Sequence, residues 1–211
     1  MPSDTGVVQN TTPEQVETKF NEFATIGKLV DRPELARVYV YICYYGPVIR
    51  PQIQSALTVP KTTVYDHVDT LADLGIVEVA GDRPAEVTAE PVLIIEDGIA
   101  VTPTILHAVA LQTIDDTIAD FVAKHGVGKL AAAVRQAGLH YAGRITQRMA
   151  ADPLDIHTGE AILILDGLRP VIAAGREYDP HFTVVFQDVV DDIEFQQDID
   201  VTAPVTDAGE E

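Results

Sequence analysis

Residues 52–79, QIQSALTVPKTTVYDHVDTLADLGIVEV, join a short helix, a tight turn, an amphipathic helix and a strand in one continuous segment. Thr58-Val59 marks the turn, and Pro60 opens the second helix. Four apolar side chains of that helix recur at steps of four and three residues: Val64, Val68, Leu71 and Leu74. This spacing places them on one helical face that needs a core to pack against. The segment therefore predicts a helix-turn-helix followed by a strand.

The flanking sequence supplies the elements that such a segment packs against. A helix is predicted from Pro33, because Asp31 and Glu34 have the spacing of a capping box, and Gly46-Pro47 interrupts it. Gly75 stands where a helix C-terminus favours glycine. Strands are then predicted at 76–79, 86–96 and 99–101, with a tip at 81–84 and a hairpin turn at Asp97-Gly98.

This arrangement resembles the winged helix-turn-helix domains of archaeal and bacterial transcriptional regulators, over residues 32–102. PKTTVYDHVDTLADLGIVEV is similar to their recognition helix and first wing strand. The resemblance implies that the helix entered by Thr62 lies in the major groove of DNA. It also implies a regulator that acts as a homodimer on double-stranded DNA.

The residues implied as DNA contacts lie at the start or on the outer face of this helix, or beside it. They are Arg50, Lys61, Thr62, Thr63, Tyr65, Asp66, Thr70 and Arg83. Asp66 departs from the family, in which many members carry Arg or Lys. A carboxylate there repels phosphate, although it could accept a hydrogen bond from a cytosine amino group. The alternative is a winged helix that binds another protein, together with an acidic C-terminal region.

The charge of the chain affects both the DNA-binding and the protein-binding hypothesis. The chain carries 33 acidic and 14 basic residues, a net charge of −19. The excess of Asp over Glu and of Arg over Lys resembles the composition of proteins from halophilic archaea. The concentrated KCl of their cytoplasm screens the repulsion between carboxylates. The other explanation is an acidic partner-binding tail, since residues 151–211 hold 15 acidic and 2 basic groups. The basic footprint expected of a DNA-binding domain reduces to Arg50, Lys61 and Arg83.

The rest of the chain is predicted to be mainly helical. The N-terminal arm (1–30) contains a leading helix capped by Thr12, with Val16, Phe20 and Phe23 on one side. Further helices are predicted at 103–124, capped by Thr102, at 129–151, and at 160–173, capped by Thr158, before a short strand at 182–186. The fold class is therefore mainly α with a small β wing. A winged helix-turn-helix domain (31–102) precedes a helical dimerisation or effector region (103–186) and an acidic tail (187–211), which is predicted to be disordered in its last part.

The C-terminal helices offer two interpretations. The stripe Leu130, Tyr141 and Ile145 suits packing between two protomers, and equally a core within one chain. A basic set, Lys124, Lys129, Arg135, Arg144 and Arg148, either contacts an anion or forms a solvated face that pairs with carboxylates.

Several function classes find no support in the sequence. The six histidines show no i, i+4 pairing and no cysteine partner, so neither a metal site nor a cofactor is predicted. No catalytic motif stands out, and the single Cys43 is expected to be a buried thiol. The absence of a signal peptide and of a long apolar run predicts a cytoplasmic protein.

Overall fold

The computed structural model describes residues 13–96 and 99–186, and these are mainly helical with a small antiparallel sheet. This confirms the coarse fold class. Three predicted features lie outside the described residues: the start of the N-terminal arm with its Thr12 cap (1–12), the Asp97-Gly98 turn, and the acidic tail from 187. The first half of the chain contains α1 (Pro13–Asp31), α2 (Pro33–Tyr45), β1 (Val48–Ile49), α3 (Arg50–Leu57), α4 (Lys61–Asp73), β2 (Val77–Ala80), β3 (Glu86–Ala89), β4 (Ile94–Glu96) and β5 (Ile99–Val101).

The second half of the described chain contains only helices. They are α5 (Pro103–Leu111), α6 (Asp116–His125), α7 (Val127–Tyr141), a 3₁₀ helix (Gln147–Ala150), α8 (Ala151–Leu154), α9 (Thr158–Gly167), α10 (Arg169–Tyr178) and α11 (Phe182–Val185). No helix in 13–96 or 99–186 is both long and apolar enough to cross a membrane.

The first core is built by α2, α3, α4 and a three-stranded antiparallel sheet of order β1-β3-β2. Val64, Val68 and Leu71 of α4 are fully buried in it, as the apolar stripe predicts. Thr58 adopts a left-handed conformation, with φ of 52°, and turns the chain between α3 and α4. The predicted helix-turn-helix segment therefore has the expected elements in the expected order.

The predicted strand over 86–96 is interrupted, because β3 ends at Ala89 and β4 begins only at Ile94, so that residues 90–93 are not a strand. The Tyr39 hydroxyl donates a hydrogen bond to the carbonyl oxygen of Glu90 at 2.7 Å and accepts one from the amide of Val92 at 2.9 Å. These backbone groups are therefore satisfied by a side chain of α2 rather than by a neighbouring strand. β4 and β5 instead form a separate antiparallel pair. The short β1, which pairs Val48 with Val87, was not predicted.

Three predicted helices are each divided in the structure. The helix over 103–124 breaks after Leu111, and the Asp115 carboxylate accepts a hydrogen bond from the Ile118 amide at 3.0 Å to begin α6. The helix over 129–151 stops at Tyr141, just before Gly143, which has a φ of 72°. The helix over 160–173 is replaced by α9 and α10, which meet at Leu168. The predicted strand at 182–186 is wrong, since α11 occupies 182–185.

The predicted capping residues also need correction. Arg32, not Asp31, precedes α2, and no side chain of the described residues caps its N-terminus. His157, not Thr158, caps α9, by accepting a hydrogen bond from the Gly159 amide at 3.1 Å. The hydroxyl of Thr102 makes no capping bond at α5. α1 is present as predicted, but Phe20 is 73% exposed, so its aromatic face is not buried within the chain.

Asp179 caps α5 from the far end of α10. Its buried carboxylate accepts hydrogen bonds from the Thr104 amide at 2.9 Å and from the Thr104 hydroxyl at 2.6 Å. The other carboxylate oxygen accepts from the His181 amide at 2.8 Å. One carboxylate therefore joins the start of α5 to the end of α10.

The second core contains side chains of α5, α6, α7, α9 and α10. Leu130, Val134 and Ala137 are fully buried in it, and the partly buried Tyr141 and Ile145 pack against it. The stripe that the sequence offered for dimerisation is thus occupied within one chain. α5 belongs to both cores, because Leu106 and Ala110 face the first core while its other apolar side chains face the second.

The basic set of the C-terminal region is partly paired with carboxylates. Lys124 Nζ lies 2.8 Å from Glu160 Oε2, and His125 Nε2 lies 2.7 Å from Glu160 Oε1. The hydrogen bond from Lys124 is the largest cause of a lowered pKa at Glu160. This cluster fastens α6 to α9 at the surface.

Candidate nucleic-acid interface

The outer surface of α4 is held in place by side chains on its inner surface. Val64, Val68 and Leu71 are buried against the first core, beside Ile53 and Leu57 of α3. The helical period then turns a second set of side chains to solvent. The exposed residues on this outer face are Lys61, Thr62, Tyr65, Asp66, Asp69 and Asp73.

Two cations lie close to the Tyr65 ring, one from α4 itself and one from α3. The Arg50 guanidinium carbon is 5.0 Å from the centre of the Tyr65 ring, and the Lys61 ammonium is 5.5 Å from it. Both distances fall within the range of a cation–π interaction. The ring itself remains 38% exposed. The structure therefore brings three of the predicted contact residues into one group.

Arg50 also forms an ion pair with Asp69, at 2.6 Å between Arg50 Nη2 and Asp69 Oδ1. Asp69 was not among the predicted contact residues. Its place on the outer face follows from the helical period, but its pairing depends on how α3 crosses α4. The pair fixes the guanidinium beside the Tyr65 ring and neutralises part of its charge.

Two of the predicted threonines do not join this group. Thr63 is half-buried and lines a cleft on the inner side of α4. The Thr70 hydroxyl donates a hydrogen bond to the Asp66 carbonyl oxygen at 2.7 Å, so it is engaged by its own helix. Thr62 and Asp66, in contrast, stand on the exposed face with Tyr65.

Arg83 is exposed in the bend that joins β2 to β3. The antiparallel pairing of Ala80 with Glu86 closes this hairpin and holds its tip away from the sheet interior. Arg83 thus belongs to a second surface element that is distinct from α4.

The outer face of α4 combines hydrogen-bonding, aromatic and charged groups without a strong net charge. Lys61 and Arg50 stand against Asp66, Asp69 and Asp73, and two of these five groups already neutralise each other. Such a surface can offer hydrogen bonds and a flat ring to base edges, while phosphate attraction is limited.

Within residues 13–96 and 99–186, no three His, Cys, Asp or Glu side chains form a group that could hold a metal ion. Cys43 lies on α2, where burial raises the pKa of its thiol to about 12, so it is protonated at neutral pH.

A family model described as "Family of unknown function (DUF7437)" matches residues 112–177. The matched segment begins just after α5 and ends in α10, so it leaves α2, α3, α4 and the sheet outside. It spans less than half of the 211 residues. No curated protein and no solved structure matches the chain.

Proposed function

We propose that residues 31–102 form a winged helix-turn-helix domain and that the protein is a cytoplasmic, homodimeric transcriptional regulator of a halophilic archaeon. In this proposal α4 is the recognition helix and the β2–β3 hairpin is the wing. The observation that carries it is the group at Tyr65: an exposed ring with the cations of Arg50 and Lys61 close to it, on a helix anchored by buried side chains. Helices of this kind read base edges from their exposed N-terminal residues.

The weak basic character of this surface agrees with a protein that works at high salt. In concentrated KCl the gain from releasing counterions shrinks, so basic residues add less to DNA affinity. Hydrogen bonds and shape then supply a larger share of the binding energy. The homodimer needs apolar surface outside the α7 stripe, and Met149 and Leu163 are exposed on elements that pack together.

Binding to another protein is the second candidate function. Three aspartates of the outer face of α4 favour it, because they repel phosphate. A basic partner would meet Asp66 and Asp73 directly, while Asp69 is already paired with Arg50.

Mutations on α4 and the hairpin should separate base contacts from phosphate contacts. Tyr65→Ala and Thr62→Ala should change which duplexes are preferred and cost roughly 1–3 kcal/mol for each good base contact. Thr63→Ala is the matched control, since the same change is made one residue away on a half-buried side chain. Arg83→Ala should weaken binding to all duplexes alike, because a phosphate contact carries no base information. Asp66→Arg should raise non-specific affinity.

These affinities are measured by titrating specific and scrambled duplexes at a fixed molar KCl concentration, after selection of a preferred sequence from a random pool. Chromatin immunoprecipitation in a high-salt host provides the corresponding test in cells. If every variant binds each duplex as the parent does, α4 does not read DNA and the protein-binding alternative is favoured.

Stability should increase with salt. With a net charge of −19, raising KCl from tenths molar to molar screens repulsion between carboxylates and should raise the melting temperature. Circular dichroism during heating measures this. The double variant Asp66→Asn, Asp73→Asn, which removes two exposed charges, should melt higher at low salt and respond less to KCl. A melting temperature that stays flat or falls over this range argues against a halophilic protein.

A further inference from the structure

A polar cleft lies on the inner side of α4, where this helix faces α2 and the turn after α5. Its volume is about 320 Å³. Polar side chains line it from three elements: Glu34 and Arg37 of α2, Thr63 and His67 of α4, and Thr113. A wider cleft of about 630 Å³ shares Glu34, His67 and Thr113 and adds Asp31 and Arg32.

Two nitrogen atoms of side chains that line this cleft have no hydrogen-bond partner within residues 13–96 and 99–186. His67 is only 6% exposed, and its Nδ1 is buried and unpaired. The Nε of Arg37 is likewise buried and unpaired. A buried polar atom without a partner costs free energy. A small rotation of either side chain towards the cleft would let an occupant there supply the missing hydrogen bond.

The charges around the cleft favour a carboxylate as that occupant. A guanidinium group binds a carboxylate through two parallel N–H donors, and Arg37 is only partly exposed. Burial and the nearby Arg32 lower the pKa of His67, so its imidazole is neutral at pH 7 and can add one hydrogen bond. Asp31 and Glu34 also line the clefts, but both are exposed and can turn towards water, whereas Arg37 is half-buried.

An apolar cavity adjoins the cleft at Arg37 and Leu57, which line both. This cavity has a volume of about 40 Å³, and aromatic rings form much of its wall: Tyr41, Tyr44, Tyr45 and His107. His107 is 6% exposed, and its Nδ1 is also unpaired. This cavity is far smaller than the roughly 150 Å³ that holds a benzene molecule, so it does not take an aromatic ring. The polar cleft itself has apolar walls at Val38, Leu57 and Val59, and Arg37 lies beside them, which suits a molecule with a charged end and an apolar end.

We propose that this cleft binds a small organic carboxylate with an apolar body, whose carboxylate is held by Arg37 and His67. Binding at this site does not depend on the proposed function. Because Thr63 and His67 belong to α4, an effect of the carboxylate on DNA affinity would rest on that function, and the experiment below leaves DNA out of its readout.

The full chain is titrated in molar KCl with three probes, and binding is followed by NMR chemical shifts of the protein. Benzoate carries a carboxylate alone, L-phenylalanine carries a carboxylate and an ammonium group, and benzyl alcohol has the aromatic ring without a carboxylate. Saturable binding of either carboxylate, with no saturation by benzyl alcohol, is the expected result. Tighter binding of phenylalanine would identify an amino acid that also uses Glu34, and tighter binding of benzoate a simple acid. Chloride at molar concentration competes for Arg37. Binding of a carboxylate under these conditions therefore depends on its bidentate geometry as well as on its charge.

Arg37→Gln should weaken carboxylate binding at least tenfold. Arg148→Gln is the matched control, because Arg148 is exposed on the 3₁₀ helix and lines neither cleft, and it should bind as the parent does. If Arg37→Gln does not fold, Thr63→Phe blocks the cleft from the α4 side without changing any charge and should abolish binding. The proposal is overturned by equal binding of benzyl alcohol, by the absence of saturable carboxylate binding, or by parent-like affinity in both cleft variants.

Discussion

Asp179→Ala is expected to lower the free energy of unfolding by about 2–4 kcal/mol. The substitution removes the acceptor for the Thr104 amide and hydroxyl and for the His181 amide. Thr104 is fully buried, so its two donors would be left without a partner. The start of α5 would also lose a carboxylate, and a negative charge is favourable at a helix N-terminus.

Urea denaturation in molar KCl measures this loss. Glu177→Ala is the control, because Glu177 is exposed on the same helix and its removal should change stability by no more than about 0.5 kcal/mol. Thr104→Ser keeps both donors and should retain most of the stability. An Asp179→Ala protein as stable as the Glu177→Ala protein would show that the buried cap contributes nothing.

Leu106→Ala is expected to destabilise the chain by about 2–5 kcal/mol, the range for a fully buried leucine whose loss leaves a cavity. Leu106 has no exposed surface and faces the first core from α5. The opposite side of the same helix packs in the second core. We therefore expect the two cores to unfold together, so that damage on one side of α5 also weakens the other.

Hydrogen exchange resolves this prediction along the chain. Amides of α2 and α7 should lose protection by similar amounts in Leu106→Ala. Leu163→Ala makes the same change at a side chain that is 62% exposed and should leave both helices as they are in the parent. If α2 loosens while α7 keeps its full protection, the two cores are independent units and a boundary near residue 102 separates them.

The elements of the first core could be predicted from local sequence. The stripe of Val64, Val68 and Leu71 has a single helical solution, and Gly46-Pro47 leaves no way to extend α2. The exposed Lys61, Thr62, Tyr65 and Asp66 follow from the same period. The residues on the outer face of α4 could therefore be predicted from the sequence alone.

The errors arise where a distant residue completes a local element. Thr102 is the obvious cap of α5, but Asp179, 75 residues from Thr104, does the capping. β3 ends earlier than predicted because the Tyr39 hydroxyl binds the backbone groups of Glu90 and Val92 that follow it. Asp115 is a usable cap for α6, yet an apolar pattern that continues on both sides conceals the break. The pattern of apolar residues within one segment cannot reveal a contact with a residue far away in the sequence.

The two cations at Tyr65 have a consequence for how this surface meets any partner. A free tyrosine on a helix exchanges between rotamers, and fixing it on binding costs about 0.5–1.5 kcal/mol of side-chain entropy. Here the cations of Arg50 and Lys61 already restrain the ring, and Asp69 restrains Arg50 in turn. Part of the ordering therefore takes place during folding rather than at the encounter. Tyr65 is therefore preorganised when it meets a base or a partner protein. Asp69→Ala would make Arg50 and Tyr65 more mobile before binding, without altering the contact that Tyr65 itself makes with the partner.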